Sequence, residues 1–191
     1  MIELKDICKS FGEPPKTVLR DVSMVLREGI TCIMGQSGVG KTTLVNIVAG
    51  ILKPDSGEII GAEGKKISMV FQEDRLLEWE TALENVLFTA PKNRKNNRER
   101  ANDLLEEAGL SDSLDKKAAE LSGGMKRRVC LCRALIADYD ILILDEPFKG
   151  LDGEIKPSIM EMVKTHAHGI IVCITHDPAE AEFLRDGLVI L

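Results

Sequence analysis

The chain has 191 residues, 44% hydrophobic and 29% charged, a balance that fits one globular domain with room for a small embedded subdomain and excludes a disordered or fibrous chain. A domain of this length hides about 70% of its unfolded surface, so a sizeable core is expected. With 25 Lys and Arg against 31 Asp and Glu, the net charge of −6 argues against a generally basic, nucleic-acid-binding surface. The start, MIELKDICKS, lacks the apolar core of a signal peptide, and no run approaches the roughly 18 apolar residues of a bilayer span, so a cytoplasmic protein is expected. Gly12-Glu13-Pro14-Pro15-Lys16 separates two strand-like runs. Residues 30–34 read as a strand entering a Gly-rich loop, and residues 42–52 follow with helical spacing of Leu44, Ile47, Val48 and Ile51. Residues 57–60, 67–71, 141–144, 169–174 and 188–191 are near-continuous in Ile, Leu or Val, the pattern of strands buried on both faces of a parallel sheet. Between about residues 79 and 137 the strand pattern gives way to helices, with Ala101, Leu104, Leu105 and Ala108 forming one apolar stripe. The basic run 92–98 inside that stretch reads as a solvated loop leading into a helix, with a phosphate or lipid contact as the alternative. The fold class is therefore α/β, a mainly parallel sheet carrying a helical insertion. Cys8, Cys32, Cys130, Cys132 and Cys173 have no metal-ligand spacing and sit among apolar residues, as reduced core thiols would.

Gly35-Gln36-Ser37-Gly38-Val39-Gly40-Lys41-Thr42 fits G-x-x-x-x-G-K-[ST] and lies between the predicted strand and the predicted helix. Glycines let successive N–H groups converge on phosphate oxygens, and the following helix turns its positive end to the same anion. Lys41 is expected to reach the β- and γ-phosphates and the Thr42 hydroxyl to ligate Mg²⁺. Downstream, Ile141-Leu142-Ile143-Leu144-Asp145-Glu146 is an apolar strand ending in two carboxylates. Beside a phosphate loop, such a pair suits Asp145 to hold Mg²⁺ and Glu146 to polarise an attacking water.

Leu121-Ser122-Gly123-Gly124-Met125 puts a serine with N-cap chemistry and two glycines at the start of a predicted helix over residues 124–135, a second anion site in the same chain. At this point the sequence resembles the nucleotide-binding subunits of ABC transporters, whose LSGGQ signature it matches except for Met125 in place of Gln. The resemblance runs essentially end to end and its motifs occur in the family's order. It implies a P-loop core with an antiparallel edge β subdomain and a helical subdomain at about residues 76–137, all within one ATPase domain over residues 1–191.

Further site residues follow from the resemblance. It extends the nucleotide cradle to Thr43, next to Thr42. Phe11 takes the place of an aromatic that stacks on adenine, with a core phenylalanine as the alternative. Gln72 matches the glutamine that contacts Mg²⁺ and the attacking water and hinges the helical insertion. Asp152, after Leu151, matches the loop that crosses the dimer interface, and His176 matches the histidine that contacts the γ-phosphate. His166 and His168 fit no motif and are expected at the surface. The resemblance implies a homodimer, or pseudo-dimer, of ATPase subunits in the ATP state, in which Ser122, Gly123 and Gly124 face ATP held by the other subunit's phosphate loop. Residues 70–79 (VFQEDRLLEW), 81–86 (TALENV), 121–128 (LSGGMKRR) and 145–148 (DEPF) look most like importers of nitrate, sulfonate, taurine and related anions. Those ATPases sit on the inner face of the membrane against separate permease subunits and work with a substrate-binding protein. Residues 73–88, including Trp79, are the candidate permease contact, unless Trp79 packs inside the insertion.

Rival functions fit less well. A small-molecule kinase or GTPase would explain neither residues 121–125 nor His176, and no guanine motif is visible. ABC-type ATPases of DNA repair or ribosomes need long insertions or two fused cassettes, and a regulatory subunit would be expected to lack Glu146. The runner-up is an ATPase of another ABC system, of the lipoprotein-release or peptide type. The stretches from Lys41 to Gln72 and after His176 are shorter than is usual in the family, so a trimmed edge sheet and no C-terminal regulatory domain are expected.

Overall fold

A computed structural model of the chain describes residues 1–92 and 95–191; Asn93 and Arg94, in the basic run 92–98, lie outside the described residues. The chain divides into two compact units, Met1–Ile67 with Asp140–Asp145 and His168–Leu191, and Ser68–Tyr139 with Glu146–Ala167.

The first unit opens with β1 (Ile2–Phe11) and β2 (Lys16–Leu26), antiparallel around the loop at Gly12 to Pro15, with Ile2 opposite Leu26 and Phe11 opposite Lys16. Ile2, Leu4 and Ile7 are buried, and the register slips between Leu4 and Ile7 because Asp6 takes a left-handed φ of 49°. Ser23 Oγ secures that irregularity, accepting from Asp6 N at 2.8 Å and donating to Asp6 Oδ1 at 2.9 Å. β4 (Ser56–Ile60) adds to β1 antiparallel, at the edge. This corrects the sequence expectation, which grouped it with strands buried on both faces. Here an apolar run is not enough: Ile59 is half-buried and Ile60 exposed.

The second sheet has the order β5-β6-β7-β3-β8. β3 (Gly29–Met34), β6 (Ile141–Asp145) and β7 (Ile170–Ile174) are its central strands, and every residue of β6 and β7 is buried. β7 runs parallel to both β6 and β3, with Cys173 beside Cys32. That contact and burial push the Cys173 thiol well above its usual range. β8 (Gly187–Ile190) pairs only with β3 and alternates half-buried with exposed residues, so it too is an edge strand rather than one covered on both faces. β5 (Ile67–Val70) joins at its start, where Lys66 O accepts from Asp140 N and Ile141 N.

α1 (Lys41–Val48) is shorter than the periodicity predicts. Gly50 adopts φ +69° after the C-cap Ala49, its N–H returns to Ile47 O at 3.0 Å, and Ile51 is left 60% exposed. A left-handed glycine ends the helix where the apolar spacing alone would continue it. α6 (Pro178–Leu184) is capped by Asp177, whose Oδ1 accepts from Ala179 N at 2.9 Å.

The second unit holds α2 (Ala82–Leu87), α3 (Asn97–Glu107), α4 (Gly123–Ile136) and α5 (Lys156–His166). Ala101, Leu104, Leu105 and Ala108 are buried as their spacing predicts. Asn85 is fully buried in α2: its Oδ1 accepts from Leu77 N at 2.8 Å, while Nδ2 donates to Leu77 O at 3.0 Å and Thr81 O at 2.9 Å. Cys130 and Cys132 are buried, and burial raises the Cys130 thiol to about 12. Cys8 is the exception to the core-thiol expectation: it is half-buried in β1 and its Sγ donates to Asp21 Oδ1. His166 and His168 are exposed, His166 against Glu107 at 2.7 Å.

Candidate nucleotide site

In the first unit β3 delivers the chain to Gly35, and α1 begins at Lys41. Gly40 turns the chain between them at φ +109°, where a Cβ would stand 2.7 Å from Leu19 Cδ2 and 3.0 Å from Val18 O. Only glycine meets both demands. Lys41 is 6% exposed, and its ammonium lies across the loop, donating to Gly35 O and Gln36 O at 2.9 Å each. Burying an ammonium without such partners would be costly. Gln36, Ser37 and Gly38 are exposed, Val39 and Thr43 half-buried, and Val39 N donates to Gln36 O at 3.3 Å. α1 has no side-chain N-cap and no acid in its first turn, so no carboxylate of that turn competes for its leading N–H groups.

Thr42 Oγ1 donates to Asp145 Oδ2 at 2.9 Å, bringing together two residues 103 positions apart, and Asp145 is 2% exposed at the end of β6. A hydroxyl and a carboxylate at this distance are hard oxygen donors of the kind Mg²⁺ takes, next to a lysine and helix amides suited to phosphate. The donor set therefore fits a magnesium nucleotide.

His176 is exposed just past β7, between a buried threonine and the α6 cap. Thr175 Oγ1 donates to the Glu180 carboxylate through a short hydrogen bond and accepts from Asp177 N at 3.1 Å. Sequence reasoning missed Thr175 and Glu180; the Asp-x-x-Glu spacing at 177–180 marks a helix start, and the threonine stands five positions before that glutamate. Phe11 ends β1 at 44% exposed, with Lys9 Nζ 5.6 Å from its ring centroid. The alternative of a core phenylalanine is thereby removed.

The other predicted residues lie in the second unit. Ser122 caps α4, its Oγ accepting from Met125 N at 3.3 Å, with Ser122 and Gly123 exposed and no acid in the first turn. A Cβ on half-buried Gly124 would come 3.2 Å from Gly150 O. Gln72 is exposed just after β5, and Asp152 is exposed while its carbonyl accepts from Ile155 N and Lys156 N. Glu146 takes a left-handed φ of 49°, and its Oε2 accepts from Lys149 Nζ at 2.9 Å. Arg127, also missed, donates to Glu146 O, Pro147 O and Phe71 O. A signal for it exists: Arg127, Cys130, Leu131 and Ala134 fall at i, i+3, i+4 and i+7 of α4, which puts an arginine on the apolar stripe. Trp79 and Phe88 are 69% and 70% exposed, so Trp79 does not pack inside its unit.

The description "ABC transporter" belongs to the family that matches residues 19–149, over two thirds of the chain. The chain belongs to the ABC transporter family. It is 41% identical over 208 residues to a bicarbonate transport ATP-binding protein of Synechocystis sp., covering 100% of this chain and 73% of that protein. It is 38% identical over 193 residues to an aliphatic sulfonates import ATP-binding protein of Agrobacterium fabrum, covering 98% and 69%. A dimeric ATP-binding cassette in a post-hydrolysis state, bound to ADP and Pi, superposes with a TM-score of 0.84 at 31% identity, covering 99% of this chain and 96% of that one. The chain is thus an ABC ATPase with the P-loop fold, an ATP-binding subunit of a transporter. Among the described residues no helix is long and apolar enough to cross a membrane.

Proposed function

We propose that the chain hydrolyses Mg-ATP as a homodimer on the inner face of the cell membrane to drive an importer of small anions. The observation that carries the reading is the Lys41, Thr42 and Asp145 constellation: a buried ammonium across the phosphate loop and a hydroxyl bonded to a carboxylate at the adjacent strand end. Lys41 and the amides of residues 35–43 bind the phosphates, and Phe11 stacks on the base. Thr42, Asp145 and Gln72 hold Mg²⁺, which when bound neutralises charge on the transferred phosphoryl group. Glu146 accepts the proton of the attacking water, and Gln72 and His176 orient that water and the terminal phosphate. Ser122, Gly123, Gly124 and Asp152 complete the site of the other subunit, so loss of the terminal phosphate releases contacts on both faces of the dimer. Permease subunits dock at residues 73–88, where the chain enters a helical subdomain at about 76–137, and the exposure of Trp79 and Phe88 supports the docking. The names of the bicarbonate and sulfonate relatives support the anion class of cargo, which a substrate-binding protein presents from the far side.

Lys41→Ala is expected to abolish ATP binding in a titration while far-ultraviolet dichroism stays native. Glu146→Gln is expected to bind ATP, lose hydrolysis by two orders of magnitude or more, and run as a dimer by light scattering only when ATP is present. A monomer in saturating ATP would remove the shared-site reading. Stimulation of hydrolysis by the permease with a bicarbonate- or sulfonate-binding protein, and none with a peptide-binding one, tests the cargo class.

A further inference from the structure

Arg127 is 2% exposed in the second turn of α4. Each nitrogen of its guanidinium donates to a backbone carbonyl: Nε to Pro147 O at 3.1 Å, Nη2 to Glu146 O at 2.6 Å, and Nη1 to Phe71 O at 2.5 Å. Nη1 also meets Asp74 Oδ1 at 3.3 Å. These acceptors fall on two segments. Phe71 O belongs to the peptide group that leads into Gln72, and Glu146 O to the one that leaves Glu146. The second segment is held in an unfavourable conformation, since Glu146 is a non-glycine residue at φ +49°. Such a backbone persists only where its surroundings fix it.

Filling an apolar helix face does not require an arginine, and burying one is costly unless every donor is met. A leucine or methionine would satisfy α4 more simply. What the planar fork provides, and a hydrophobe or a lysine does not, is a rigid tie between separate carbonyls. We propose that Arg127 is a positioning residue for ATP hydrolysis: through the Phe71, Glu146 and Pro147 carbonyls it fixes the directions in which the Gln72 amide and the Glu146 carboxylate leave the main chain. The proposal rests on the roles given to Glu146 and Gln72 above. Arg127 acts through the main chain of the residues that carry these roles, so its effect falls on the rate of the chemical step and not on ATP affinity.

Steady-state hydrolysis of Mg-ATP by the full chain, scaled to the number of ATP-binding molecules, tests it with Arg127→Gln, Arg127→Lys and Glu146→Gln. The glutamine variant is expected to lower kcat at least tenfold with KM within twofold of wild type; the lysine variant, which keeps the stem and charge but not the fork, is expected to fall between. In the Glu146→Gln background, single-turnover rates should drop no further when Arg127→Gln is added, because the two residues act as one unit. A structural role would instead lower the melting temperature while leaving kcat per binding-competent molecule unchanged, and that result overturns the proposal. So does a rise in KM with no change in kcat, or full additivity of the double variant. If Arg127→Gln does not fold, the lysine variant alone decides: wild-type kcat overturns the proposal, a reduced kcat at unchanged KM supports it. Should Glu146→Gln hydrolyse ATP at the wild-type rate, the assignment of the base fails first, an outcome distinct from intact catalysis in the Arg127 variants.

Discussion

Asn85 shows what a single side chain carries in this protein. Its amide sits in α2 with no exposure and ties the 77–81 segment to the helix through Leu77 N, Leu77 O, Glu80 O and Thr81 O. Replacing it removes these bonds and leaves the half-buried Leu77 N–H without its acceptor, so Asn85→Ala is expected to cost about 2–4 kcal/mol, read as a shift of the urea midpoint at unchanged slope. Nothing in the sequence marks Asn85 for this work, since an asparagine inside a short helix reads as a surface residue. Lys41 and Thr42 stand at the other extreme. Their places are legible because phosphate chemistry fixes residue type and spacing together, and the folded loop then brings Lys41 Nζ onto Gly35 O and Gln36 O. Arg127 falls between: its position on the apolar stripe is readable, but its acceptors near Phe71 and Glu146, 56 and 19 positions away, are not.

Among the elements, the strands buried on both faces were the most legible. β6 and β7 match the sequence boundaries to within one residue, because a continuous apolar run that is bounded by polar residues has few other places to go. β4 ends in Ile59-Ile60 and β8 carries Leu188, Val189 and Ile190, yet both lie at sheet edges, since partner strands and not a few apolar residues decide which strand is central. The chain entering β4 is tethered by Asp55, whose carboxylate accepts from Lys9 Nζ at 2.6 Å and Ser10 N at 2.7 Å. Those bonds, that from Lys9 first, hold the carboxyl below its ordinary value. A depressed carboxylate contributes stability above its unfolded pKa and loses it as the pH falls through the folded one. Asp55→Asn is therefore expected to lower the urea midpoint at pH 7 and to match wild type once both are acidified below the folded value; the group is exposed, so the difference is small and shrinks with added salt.

At the scale of the whole molecule, α1 and α4, one in each compact unit, both start without an acid in the first turn. If each serves an ATP shared with a second copy, specific activity is expected to rise with chain concentration until the dimer saturates, then level off; a specific activity independent of concentration over a hundredfold dilution would mean that one chain suffices. What the sequence by itself determined is the set of local patterns: the phosphate loop, the paired acids, the serine-capped signature and the strand-end histidine are short motifs whose residue types suit the anion, metal and water we propose they serve. Tertiary structure alone decided the supports. Arg127 gathers three carbonyls because helix and strand packing brings distant backbone together. Hydrogen bonds to main-chain carbonyls leave no trace in residue type at the accepting end, so no reading of the sequence could have named those partners.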